Sequence, residues 1–126
     1  MAEIKWEKSL TKKDLEAAKE FLTLLFEPKE VQKAVAKLKK HKDDVIEFKA
    51  KDVLRASDTQ LLPETNKDVR SEFVKMVKGK PLVPVSLVRL DRQLFIADGY
   101  HRTCAAYYLD KDSQVHCVLI GIGDTT

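Results

Sequence analysis

Leu82-Val83-Pro84-Val85-Ser86-Leu87-Val88-Arg89-Leu90, followed by Asp91-Arg92 and then Gln93-Leu94-Phe95-Ile96-Ala97-Asp98-Gly99-Tyr100-His101-Arg102-Thr103, is the stretch on which the fold turns. Val83, Val85 and Leu87 alternate with Pro84 and Ser86, the period of a half-buried strand. Asp91-Arg92 makes a tight turn into a second apolar run, Leu94 to Ala97, so the pair reads as a hairpin. Asp98-Gly99 breaks that strand, and Tyr100 to Leu109 reads as a helix. An acid, a glycine and a helix opening with His and Arg thus follow directly on a strand.

Working outward, Val115 to Ile120 is an apolar run suited to a buried strand. Upstream, Asn66 is an N-cap for a helix that carries Val69, Phe73, Met76 and Val77 and ends at Gly79. Ser57 to Thr65 is a loop punctuated by Pro63, Lys51 to Ala56 a helical turn or more, and Val45 to Phe48 a short strand. Thr11 and Asp14 form a capping box ahead of Leu15, Ala18, Leu22 and Leu25, with Phe21, Leu24 and Phe26 widening the stripe. Pro28 stops this helix and opens a second, whose inner stripe is Val31, Ala34, Val35 and Leu38. Lys29, Lys33, Lys37 and Lys40 lie on its outer side.

Strands and helices in this order define an α+β chain, a small mixed sheet with helices preceded by an N-terminal helical hairpin. Residues 1–42 form the hairpin, packed on a domain of residues 43–126. The first helix is apolar over more circumference than one contact needs, which raises the expectation of a homodimer through the N-terminal helices.

Composition sets the bounds. The chain has 126 residues, 44% apolar and 34% charged, enough to bury one core, and its four Gly and four Pro exclude a collagen-like or linker-like chain. No apolar run approaches the roughly 18 residues of a membrane span. The opening, Met1 to Leu10, holds no apolar signal core, so a cytoplasmic location is expected. Residues 1–51 contain 13 Lys and 10 acids, whereas residues 52–126 balance. A surplus that mild suits a solvated face and falls short of the basic stripe of a dedicated DNA-binding surface. Cys104 and Cys117 do not form a disulfide framework. With His101 and His116 they also fail as a zinc site, because His116 and Cys117 are adjacent in a strand and point to opposite faces.

The Asp98–Thr103 box carries the chemistry. The first amides of a helix lack intrahelical acceptors and, with the helix dipole, favour an anion, phosphate above all. Glycine lets the backbone approach it, Arg102 grips oxygens with its fork, and His101 adds a donor. A cationic first turn costs a few tenths of a kcal/mol to about 1 unless an anion sits there. Asp98 either caps the helix or binds magnesium beside a polyphosphate.

Asp98-Gly99-Tyr100-His101-Arg102, with Ala105 following, resembles the signature box of the ParB/sulfiredoxin superfamily, and the likeness covers roughly residues 45–121. The resemblance implies a nucleotide pocket in which Gly99, His101 and Arg102 hold phosphate, flanked by Tyr100 and Thr103, with Arg55 a further arginine after the first strand. It also implies a nucleoside triphosphate with magnesium as ligand. Sulfiredoxins carry their catalytic cysteine where this chain has Tyr100, so sulfinic-acid reduction is not expected. Partition ParB proteins continue into a helix-turn-helix domain, whereas this sequence stops at Thr126, so centromere-type DNA binding is not expected.

Three functions follow. The first is a nucleotide- or phosphate-binding ParB-like domain. The second is a phosphoryl-transfer or nuclease-type enzyme using Asp98 with Mg, Glu47 being a candidate second acid or base. The third is a DNA-binding or protein-interaction module using the lysine face. Trp6 is expected to pin the amino terminus, Tyr107 and Tyr108 to pack, and His41 and Lys80 to face solvent.

Overall fold

A computed structural model describes residues 3–123. Thr11 caps α1 (Lys12–Thr23): its hydroxyl accepts from the Asp14 N–H, and the Asp14 carboxylate accepts from the Thr11 N–H at 3.0 Å. Pro28 opens α2 (Pro28–Lys40), where Glu30 accepts from the Glu27 N–H at 3.4 Å. Strand β1 (Ile46–Lys49) runs straight into α3 (Ala50–Ala56). Asn66 caps α4 (Lys67–Val77) by accepting from the Asp68 and Val69 amides. Past the end of α4, Gly79 turns left-handed at φ 73°, and the Gly79 and Lys80 amides donate back to Met76 and Lys75. That double closure satisfies carbonyls the helix would otherwise strand. The hairpin of β2 (Val85–Leu90) and β3 (Gln93–Asp98) leads into α5 (Tyr100–Leu109), and β4 (Gln114–Ile122) completes the chain.

The four strands lie in the order β1-β4-β2-β3, with β4 parallel to β2 and antiparallel to β1. The chain is therefore α+β with a mixed sheet. Strand alternation gives the sheet two apolar faces, and helices cover both. Val88, Ala97, Val118, Ile120 and Ile122 on one face meet Ala18, Leu22, Ala34 and Leu38 of the helical hairpin. Val85, Leu87, Ile96, Val115 and Cys117 on the other meet α3, α4 and α5. The helical hairpin therefore covers an entire sheet face rather than forming an appendage.

Several sequence expectations shift. The strand begins at Val85 rather than Leu82, because Pro84 has no N–H to extend the ladder. Leu82 pairs instead with the amino-terminal segment, accepting from Glu7 at 2.7 Å and donating to Lys5 at 2.9 Å. Trp6 of that segment stacks on His116 at 5.1 Å, so it does pin the amino terminus. Lys37 is not a purely outward lysine, since its ammonium donates to the Gly121 carbonyl at 2.6 Å. The wide apolar stripe of α1 divides. Ala18 and Leu22 are buried, and Phe26 meets the edge of Phe95, whereas Phe21, Leu24 and Leu25 remain exposed, Leu24 at 84%. No helix among the described residues is long and apolar enough to cross a membrane.

Candidate anion site at the start of α5

Gly99 is the hinge of the box. Its backbone is left-handed, φ 103°, where a side chain is strained, and an added Cβ would stand 2.9 Å from Val85 Cγ2. Both the turn and the packing of α5 on β2 therefore require glycine. No side chain caps α5. Asp98 does not cap it, contrary to one of the two sequence readings, because the N-cap residue is Gly99 itself. The neighbouring helices differ: Thr11 and Asn66 cap α1 and α4, and the first amides of α3 donate to the Ser113 and Lys111 carbonyls. The cationic opening of α5 is thus left with first-turn amides that no side chain accepts from.

The side chains of the box divide sharply. Thr103 is fully buried and its hydroxyl donates to the Gly99 carbonyl at 2.8 Å, so it braces the turn and is no anion ligand. The Tyr100 hydroxyl donates to the Gln60 carbonyl, and that of Tyr108 to Leu62 at 2.6 Å. The two tyrosines clamp the loop after α3 onto α5. His101 is half-exposed, with Nε2 3.7 Å from the Asp68 carboxylate on α4.

Arg102 departs most from expectation. Its side chain is only 13% exposed; Nη1 donates to the Val83 carbonyl at 2.7 Å and Pro84 at 3.3 Å, and Nε donates to Glu72 at 3.1 Å. Nη2 lies 3.8 Å from Asp98. The fork that a phosphate was expected to occupy is held by the strand approach and by α4. Proline explains part of this: without an N–H, Pro84 keeps this stretch off the ladder, and its carbonyl and that of Val83 take a side-chain donor instead.

Glu72 was missed in the sequence. It shares the inner face of α4 with Val69 and Met76, three and four residues away, and an acid on such a face needs a cation. Burial alone would raise its pKa, but hydrogen bonds from Lys75 and Arg102 and their charges hold it below the ordinary value. Asp98 goes the other way. Burial pushes it up to about 6; Arg102 opposes the shift, and the negative charges of Asp14 and Glu72 add to it. Asp14, buried on the same face of α1 as Ala18 and Leu22, contributes its charge to this shift from the hairpin side. Asp98 Oδ2 and the hydroxyl of the fully buried Ser86, its cross-strand neighbour at the bulge, have no hydrogen-bond partner among the described residues.

The remaining candidates lie elsewhere. Glu47 is on β1, with β4 and β2 between it and the Asp98 strand, so it is no second acid for Asp98; it sits 3.8 Å from His116. Arg55 is 85% exposed and pairs with Asp52 at 3.4 Å rather than with the box. Cys104 and Cys117 are fully buried, and burial pushes both thiols up, Cys117 to about 12. Among the described residues no three His, Cys, Asp or Glu side chains are grouped to hold a metal. For a magnesium shared with nucleotide phosphates the box offers one carboxylate, Asp98, the minimum such an ion takes from protein. Compared with models of protein families, with curated proteins and with solved structures, the chain matches none.

Proposed function

We propose that this chain is a ParB-like phosphate-binding domain that takes a nucleotide at the start of α5. The observation that carries the reading is the uncapped first turn of α5, entered through a left-handed Gly99 and bordered by the half-exposed His101. The amides of Tyr100, His101 and Arg102 supply the dipolar site, and His101 supplies the side-chain donor. Arg102 acts as a positioning residue, fixing α5 against the Val83–Pro84 approach. Its Nη2 lies 3.8 Å from Asp98. Thermal shift with nucleoside triphosphates, with and without magnesium, tests the proposal together with amide chemical shifts. Stabilisation with shifts at Tyr100–Arg102, weakened in His101→Ala, is the expected result. Nucleotide binding that leaves those amides and His101→Ala unaffected would place the ligand elsewhere.

Phosphoryl transfer is a second reading, favoured by the Asp14–Asp98 carboxyl pair, since an acid raised to about 6 is poised as a base near neutral pH. With Mg and a nucleoside triphosphate, Asp98→Asn would then abolish hydrolysis while leaving binding intact. The exposed Phe21, Leu24 and Leu25 are where a homodimer would close, and analytical sedimentation of Leu24→Gln against the unaltered chain tests that.

A further inference from the structure

The face that carries α3–α5 is left open at the hairpin end of the sheet. Strand alternation puts Val85, Leu87 and Arg89 of β2 on this face, and only the first two are buried. Arg89 thus stands where the apolar row would continue. Its neighbours across the ladders are Leu94 on β3 and Gly121 on β4. Beside α3 lies a cleft of ≈ 300 Å³, its floor made by the part-buried Leu94 and Leu119 above the fully buried Leu87, with Phe48 also lining it. Arg89 and Arg92 stand at its rim. Asp52 also lines it, but Arg55 already pairs with that carboxylate at 3.4 Å. Neither Arg89 nor Arg92 pairs with a carboxylate among the described residues.

We infer that this cleft binds a small organic carboxylate with an apolar body, its head group held by Arg89 and Arg92 and its hydrocarbon laid on Leu94 and Leu119. The physics is twofold. Guanidinium groups match a carboxylate in a bidentate fork, and a half-buried leucine floor gains from exclusion of water only if the ligand brings apolar surface. Inorganic phosphate offers no such surface and leaves the floor wet. The volume is at the lower end of ligand pockets, which limits the body to a short chain or a single ring. This site is independent of the anion reading at α5, which lies at the opposite end of β2, where Gly99 packs on Val85.

Octanoate is the probe, with octanol and inorganic phosphate as the other arms, followed by amide chemical shifts on the intact chain. Octanoate should shift amides around Arg89, Leu94 and Leu119, whereas octanol and phosphate should not. Arg89→Ala and Arg92→Ala should each weaken octanoate tenfold or more, and Arg89→Lys by less. Both arginines are exposed, so the melting temperatures of these variants should match the unaltered chain and confirm that they fold. Ala56→Phe, which fills the cleft from α3, should block octanoate without removing either charge. Octanoate binding that survives both arginine variants, octanol binding equally well, or no shift at millimolar octanoate would each overturn the inference.

Discussion

Both faces of the sheet are covered by helices on an apolar core, and the second face adds a network of polar ties. On one, two amphipathic helices of 12 and 13 residues lay Ala18, Leu22, Ala34 and Leu38 on Val88, Val118 and Ile120, with a buried acid, Asp14, beside them. On the other, three helices, the shortest of seven residues, leave the hairpin end open. They are tied down by polar contacts: Arg102 to Glu72 and two carbonyls, and the Tyr100 and Tyr108 hydroxyls to the loop after α3. Apolar cover is non-directional and tolerates exchange, whereas a hydrogen-bonded network holds particular groups in particular places. Both faces supply stability, and the second also holds Arg102, Glu72 and the two tyrosines in particular places.

The strongest way to break the comparison is to remove the first face's cover. A chain beginning near residue 43 exposes Val88, Val118, Ile120 and Ile122 together, each worth about 1.5–3 kcal/mol when fully buried. It should aggregate or lose its cooperative melting transition. A monomeric, cooperatively folded fragment would show that the second face suffices alone.

Next in size is Arg102→Ala. It leaves Glu72 half-buried without one of its two cations and two carbonyls without their donor, which should cost about 3 kcal/mol in urea unfolding. A loss below about 0.5 kcal/mol, the level of an ordinary surface change, would mean the network is ornamental.

Asp98→Asn should move stability the other way, and with pH. Asp98 is pushed up to about 6 in the folded chain against an ordinary 3.8, so the folded state holds its proton more tightly. Its contribution is therefore fully present below about pH 4, falls as pH rises through about 6, and stays low above that. Asparagine removes the loss. The variant should be more stable than the unaltered chain at pH 7.5, by on the order of 2 kcal/mol, and indistinguishable near pH 3.5. Equal stability at both pH values would remove the buried-charge account.

The smallest effect sharpens the contrast from the first face. Leu24, 84% exposed at the α1–α2 turn, lies outside the buried core, so Leu24→Gln should change the stability of the monomer by less than about 0.5 kcal/mol. A larger loss, measured by thermal melting, would mean that the turn is covered in solution.

The first face was legible in the sequence because it rests on local signals. Leu15, Ala18 and Leu22 recur with the helical period, Thr11 and Asp14 mark the start and Pro28 the second helix, and all of these occur where expected. The hairpin and the glycine turn were legible for the same reason. The second face was legible only in part. The sequence pointed to Asp98–Arg102 as the place where a strand hands over to a cationic helix, but it assigned Arg102 to an anion.

Sequence by itself determined the element order, the α+β class and the need for glycine at the start of α5, since these follow from period, capping and backbone sterics within a few residues. Tertiary structure alone decided who partners whom. Arg102 meets Glu72, 30 residues away, and Val83, 19 away; the charge of Asp14 acts on Asp98; and Arg89 emerges beside Gly121 because β4 returns parallel to β2. A guanidinium bonds to whichever acceptors the fold brings within reach, and a carboxyl titrates according to the charges and burial that surround it. Neither is encoded in the spacing of its neighbours along the chain.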